Sequence, residues 1–112
     1  MLSFWALGYD IMIYLTQLIY VRPGEEAVFN EFESHAIPII SRYRGELVLR
    51  IRPEPNAIIA AAIDQPYEIH IVSFESDADF QAFAQDEERQ RFLHLKERSI
   101  QSTMLIKGEL VG

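Results

Sequence analysis

The sequence predicts an α+β domain with the order strand, helix, strand, strand, helix, strand. The strands form one four-stranded antiparallel sheet, and the helices lie on one face of it. Three observations carry this expectation. Apolar residues recur at helical spacing between Val28 and Tyr43 and again between Phe80 and Ser99. Four other stretches are rich in β-branched and aromatic residues, two of them with clean period-two alternation. Pro-Gly, Arg-Gly, Pro-Glu-Pro-Asn and Glu-Ser-Asp steps separate these stretches where turns and caps are needed. The resulting order is that of a split βαβ unit.

The first strand begins near Met12 and stops at "RPGEE", where Pro23 suits the entry to a helix and Glu25 and Glu26 suit its positive end. Val28, Phe32, Ala36, Ile39 and Tyr43 then fall along one stripe at about 100° per residue, flanked by Phe29 and Ile40. Pro38 cannot donate to the carbonyl of Ser34, so the helix is expected to bend or break about midway, with the ring facing solvent. Gly45 is expected to close the helix in a left-handed conformation. "ELVLRIR" alternates, with Leu47, Leu49 and Ile51 opposite Val48, Arg50 and Arg52. "AIIAAAIDQP" is apolar enough for a strand or a helical turn and is read as a connection. "YEIHIVSFE" alternates again, with Tyr67, Ile69, Ile71 and Ser73 opposite Glu68, His70, Val72 and Phe74. Ser76 offers an N-cap, with Asp79 three residues on, for a short helix that buries Phe80 and Phe83. "DEERQRFLHLKERSI" is a second helical stretch with Phe92, Leu95 and Ser99 on one face, and "IQSTMLIKGELVG" is the last strand.

The first strand is apolar on both sides, with Ile13, Leu15, Ile19 and Val21 opposite Met12, Tyr14, Leu18 and Tyr20. Val72, Phe74 and Leu105 show the same on the later strands. A sheet with one face in water would be polar on that face, so this one needs two covers. The helices supply one. The other is expected to be the sheet of a second copy, with Leu18, Val72, Phe74 and His70 on the face turned to it.

The composition narrows the classes of function. Of the 112 residues, 49% are apolar, with seven Phe and five Tyr, which suits a packed core rather than disorder. Cysteine is absent, which removes disulfides and thiolate chemistry and suits a cytoplasmic protein. Seventeen acidic against ten basic residues leave a net charge of −7, with no basic stripe of the kind that displaces counterions from nucleic acid. An apolar contact would still hold two acidic protomers together. The opening run, residues 1–21, has Asp10 at its middle and no basic start, so it reads neither as a signal peptide nor as a membrane span. Residues 1–11 are read as an apolar N-terminal extension, with Met12 as an alternative start, and residues 12–112 as a single domain.

Two segments resemble known families. "VRPGEEAVFNEFESHAIPIISRYRGE" is similar to the first strand–helix unit of NIPSNAP-like proteins, where a Pro-Gly turn precedes a helix with a His-Ala-aliphatic-Pro step, here His35, Ala36, Ile37 and Pro38. "VSFESDADFQAFAQDEERQRFLHLKERSI" resembles small bacterial domains of the same dimeric α/β-barrel, ferredoxin-like superfamily. The resemblance covers about residues 12–110. It implies a ferredoxin-like fold and a sheet-to-sheet homodimer. It also implies a range of functions, from cofactor-independent monooxygenases and isomerases to haem-binding enzymes and proteins of no known activity.

No nucleophile elbow, phosphate loop or metal-spaced His cluster is present, so neither a metal nor a cofactor is expected. His35, at the edge of the helix stripe, is either a general base tuned by Glu31 or a boundary residue paired with it. His70, in the middle of its strand, is the second proton-transfer candidate. Arg50 is expected beside it, with Tyr14 and Thr16 contributed by the first strand. Arg98 is the helix cation expected to fold over a cavity. These groups either satisfy one another as an interface network or surround a small anionic or oxygenated organic molecule. The first function class is therefore a small homodimeric enzyme of monooxygenase or isomerase type. The second is a non-catalytic ligand-binding or interaction dimer.

Overall fold

The computed structural model describes residues 11–112, so all of the expected N-terminal extension except Ile11 lies outside the described residues. The strands are β1 (Ile13–Val21), β2 (Gly45–Ile51), β3 (Glu68–Phe74) and β4 (Ile100–Gly108). The helices are α1 (Glu26–Ile40), α2 (Asp77–Ala84), α3 (Glu87–Arg91) and α4 (Leu93–Ser99). The sheet order is β2-β3-β1-β4 and every neighbouring pair is antiparallel, as a split βαβ unit requires.

The core lies between the helices and one face of the sheet. Ile13, Leu15, Val72 and Phe74 from the strands pack against Ile39 and Ile40 of α1 and Phe83 of α2. A second cluster joins Phe32 and Ala36 of α1 to Leu95 of α4. Phe29, Ile39, Leu15 and Ile19 are at most 1% exposed, so each contributes roughly 1.5–3 kcal/mol of burial.

Helix α1 runs through Pro38 without a break, contrary to the expected bend at mid-helix. Pro38 is exposed and stands two residues from the end of the helix at Ile40, so its missing donor falls in the final turn. A 3₁₀ turn over Ser41–Tyr43 follows, and the left-handed position is Arg44 (φ 56°), not Gly45. Gly45 is required for a different reason. A Cβ there would lie 2.6 Å from Phe74 Cε1 and 2.7 Å from Ile40 Cγ2, so a side chain would push β2 away from the helix. The second helical stretch divides at Phe92 into α3 and α4. Ser76 caps α2 as expected, accepting from the Asp79 amide at 3.1 Å, and Asp86 caps α3 through the Arg89 amide at 2.8 Å.

The register assigns the two faces differently from the sequence reading. Across β1 and β3, Ile13 pairs with Phe74, Leu15 with Val72, Gln17 with His70 and Ile19 with Glu68. Partners directly across a ladder share a face, so His70, Val72 and Phe74 lie on the helix side with Ile13 and Leu15. They do not lie on the face reserved for a second copy. Tyr14, Thr16, Leu18 and Tyr20 lie on the opposite, outer face with Ile69, Ile71 and Ser73. Alternation separates a strand into two sets, but it does not say which set meets the helices when both are apolar.

Strand β2 adds a second correction. Leu47 pairs with Val72, whereas Leu49 pairs with Ile71 and Arg50 with His70. An extra residue at Val48 forms a bulge and shifts the phase of the strand. Leu47 therefore packs against the core, while Leu49 and Ile51 move to the outer face and Arg50 turns to the helix side. The outer face gathers Tyr14, Leu18, Tyr20, Leu49, Ile51, Ile69, Ile71, Met104 and Ile106. It is apolar throughout its middle, and no helix among the described residues covers it.

Candidate functional site

A cavity of about 300 Å³ lies between the sheet and the helices, walled by Leu15, Phe32, Phe74, Phe80 and Phe83. Six polar side chains reach it: Gln17, Glu33, His70, Arg89, Lys96 and Thr103. It opens towards β4, where Leu105 remains half exposed. Its size is at the lower end of the range for small-molecule sites.

Four side chains form a bonded network beside the cavity, which His70 alone of the four lines. Glu68, on β3, is 1% exposed and accepts hydrogen bonds from Arg50 Nε at 2.8 Å, Arg50 Nη2 at 3.2 Å and Arg52 Nε at 3.1 Å. Arg52 Nη2 bonds the same carboxylate and also donates to Asn30 Oδ1 at 3.1 Å. His70 Nε2 lies 2.7 Å from Glu68 Oε1. Burial opposes charge on Glu68, but the hydrogen bonds from Arg50, His70 and Arg52 outweigh it and hold the carboxyl below its usual range. An ionised Glu68 can only accept, so the proton of neutral His70 belongs on Nε2 and the lone pair on Nδ1.

That lone pair points to the other carboxyl. Nδ1 of His70 stands 4.0 Å from Glu33 Oε2 on α1. Burial pushes His70 below the ordinary imidazole range against the pull of Glu68, so the ring is neutral near pH 7. Burial also raises Glu33 to about 7, with Glu68 adding to the rise and Arg50, Arg89 and Lys96 opposing it. Glu33 makes no hydrogen bond among the described residues, and its side chain is 10% exposed. A neutral base and a carboxyl poised between its two protonation states thus face each other across one end of the cavity.

The far end carries two cations, Arg89 of α3 and Lys96 of α4. Burial lowers both from their ordinary values, and Arg89 lowers Lys96 further. Arg89 donates one Nη to the Ala84 carbonyl at 3.3 Å and lies 5.0 Å over the Phe83 ring. Its Nε is buried with no acceptor among the described residues.

The sequence-chosen residues divide. His70 and Arg50 come together as expected, through Glu68 rather than directly. Tyr14 and Thr16 do not join them, because the register sends both to the outer face. His35 is outside the cavity, stacked on Phe92 with ring centroids 3.7 Å apart and 4.0 Å from Glu31. Arg98 is 63% exposed and donates to Glu25 at 3.2 Å, so it does not fold over the cavity. His94 bonds the Arg91 carbonyl at 3.1 Å on the surface, which leaves the three histidines in separate surroundings. Among the described residues no group of three His, Asp or Glu side chains could hold a metal ion, and no helix is long and apolar enough to cross a membrane.

Sequence reasoning missed Glu33, Glu68, Arg89 and Lys96. Two of them left a signal. Glu33 follows Phe29 by one turn and precedes Ala36 by three residues, so it is a carboxyl within the apolar stripe. Glu68 shares the strand face of His70 two residues away.

The same architecture recurs in solved structures. A protein of unknown function from Rhodopseudomonas palustris superposes with a TM-score of 0.81 over 92% of this chain and 85% of its own, at 15% identity. A NIPSNAP family protein of unknown function from Agrobacterium tumefaciens gives 0.64 over 91% and 90%, at 19% identity. A protein from Bacteroides fragilis, described as dimeric, of unknown function and with a ferredoxin-like fold, gives 0.63 over 88% and 96%, at 13% identity. The fold is ferredoxin-like. The likeness to NIPSNAP proteins suggested by the Pro-Gly turn and the His-Ala-Ile-Pro step is thus matched in three dimensions, as a likeness of fold. No known family profile matches the sequence, and no curated protein matches it either.

Proposed function

We propose that this protein is a small homodimeric enzyme that moves a proton on a small oxygenated organic molecule, with no metal or organic cofactor. The observation that carries the reading is the Glu68–His70–Glu33 line at the cavity. Glu68 holds the imidazole with Nε2–H bonded at 2.7 Å, which leaves Nδ1 as a base beside the Glu33 carboxyl at 4.0 Å. In the step envisaged, Nδ1 takes a proton from carbon next to a carbonyl, and the C–H electron pair passes to the carbonyl oxygen. Glu33 in its protonated form gives that oxygen its proton. The imidazolium so formed is stabilised by the Glu68 carboxylate. The imidazolium then returns its proton to carbon while Glu33 regains one from oxygen: return to the same carbon gives exchange with solvent, and return to a neighbouring carbon that bears the second oxygen gives an isomerisation. The pKa of about 7 on Glu33 suits a group that must give and regain a proton near neutrality.

The homodimer is supported by the outer sheet face, where Leu49, Ile51, Met104 and Ile106 are each between 42% and 51% exposed. The dimeric description of the Bacteroides relative supports the same assembly. Cytoplasmic residence belongs to this reading as well, and the cysteine-free composition suits it. Sedimentation should give twice the chain mass, and Ile71→Asp, placed at the centre of that face, should give a monomer. A wild-type monomer at micromolar concentration would end the dimer reading.

The catalytic reading is tested in D₂O at pH 7 by following loss of the α-proton signals of phenylacetone and other neutral enolisable ketones. Exchange should be accelerated by the wild-type protein and fall at least 100-fold in His70→Ala. Binding without exchange would move the protein to the non-catalytic ligand-binding class.

A further inference from the structure

We infer that the natural ligand of this cavity is a carboxylate with an aromatic or compact apolar body, its acid group held between Arg89 and Lys96 and its body against Phe32, Phe74 and Phe83. The inference rests on the reading that the cavity is the functional site, and it names the class of molecule that site takes.

The charge balance of the cavity is the first argument. At the Glu68 end, Arg50 and Arg52 converge on a single buried carboxylate and use their donors on it. Arg89 feels Glu33 and Asp86 and Lys96 feels Glu33 and Glu97, but of these acids only Glu33 lines the cavity, and burial drives it towards its neutral form. A chain with a net charge of −7 therefore encloses a positive pocket. Cations are seldom taken out of water unless something compensates them. Asp86, which also acts on Arg89, is committed elsewhere: it accepts from Tyr43 Oη at 2.7 Å and from the Arg89 backbone amide at 2.8 Å.

The donors are the second argument. Arg89 Nε is buried without an acceptor, and Lys96 makes no hydrogen bond or ion pair among the described residues. A planar guanidinium edge with a free N–H, next to an ammonium lining the same wall, matches a carboxylate, which accepts at two oxygens. Stacking of Arg89 over Phe83 at 5.0 Å fixes the plane of the fork and lines the adjoining wall with ring surface. The third argument is size. About 300 Å³ with aromatic walls admits one ring and a short chain, but not a nucleotide or a fused polycycle.

The test compares matched pairs of probes, benzoate, phenylacetate and 3-phenylpropanoate against their primary amides, by titration calorimetry with the full chain. At least one carboxylate should bind tenfold or more tightly than its amide. Arg89→Met and Lys96→Met should each remove that preference while leaving the affinity of the amide within about twofold. Both variants should keep the thermal midpoint of the wild type or raise it, so loss of binding cannot be ascribed to misfolding. Equal affinity for acid and amide, or no carboxylate of the set binding, would overturn the inference. The outcomes also separate this inference from the proton-transfer reading. Exchange of phenylacetone without carboxylate preference sinks the anion site alone. Carboxylate binding through Arg89 and Lys96 without any exchange sinks the proton transfer alone.

Discussion

Two groups of charges flank His70 and behave in opposite ways. Around Glu68, two guanidiniums and an imidazole fill the carboxylate's acceptor sites. Among the described residues, Glu33 is a carboxyl without a side-chain hydrogen bond, near an arginine with an unused donor and a lysine without a hydrogen bond or ion pair. Buried polar networks are expected to be fully connected or absent. The Glu68 group meets that rule and fixes geometry. The Glu33 group breaks it, and that unsatisfied charge beside an apolar cavity is why the proposed ligand is placed there.

The largest expected effect comes from breaking the satisfied group. Glu68→Ala should cost about 3 kcal/mol in urea unfolding, at the lower end for a broken buried ion pair because Arg50 and Arg52 still reach water. A cost below 1 kcal/mol would mean the network is not the anchor described here.

Glu33→Gln should act in the other direction and depend on pH. The folded state holds the Glu33 proton more tightly than the unfolded chain, with a pKa of about 7 against 4.5. Its contribution to stability is therefore complete below pH 4.5 and is lost as pH rises through 7. At pH 8 the amide should gain about 1–2 kcal/mol over the wild type, after allowing for its own unsatisfied burial. A wild-type stability profile identical in slope to that of the variant between these values would place Glu33 in water.

Lys96→Met is smaller again. Burial disfavours the ammonium in the folded state, so its removal should leave stability unchanged or raise it by up to about 1 kcal/mol at pH 7. A clear loss would show that Lys96 already has a structural partner. The smallest effect is the surface pair Lys107–Asp77, 2.9 Å apart with both side chains about half exposed. Asp77→Asn should change stability by at most about 0.5 kcal/mol and serves as the baseline for the other three.

How much of this was legible in the sequence differs between fold and site. The order of elements, the helix stripe and the Ser76 cap all follow from local chemistry, which each segment carries within itself. The site depended on which side of the sheet meets the helices, and that is a tertiary choice. Ile69 and Ile71 are as apolar as Val72 and Phe74, so β3 alone offers no reason to prefer one set. Glu68 and His70 were visible as neighbours on one face, but their partner on α1 was not, because Glu33 resembles any surface glutamate until the stripe around it is seen to close. Arg89 and Lys96 lie in a run dense with acids and bases, where spacing does not distinguish a solvated cation from one turned inward. Tyr14 and Thr16 lie on the opposite face of the sheet from His70 because the pleat separates them by one step.

The irregularity at Val48 has a consequence for how such a chain changes over generations. Were Val48 paired with Ile71 in a regular ladder, Arg50 and Arg52 would trade sides with Leu49 and Ile51. That pairing would place two guanidiniums on the greasy outer surface and strip Glu68 of its counterions, whereas deleting the codon for Val48 would leave Leu49, Arg50 and Ile51 opposite Ile71, His70 and Ile69 as they are. The phase beyond Leu47 is thus what this short ribbon must preserve, and relatives that keep the assembly should tolerate loss of the residue at Val48 more readily than its regular pairing.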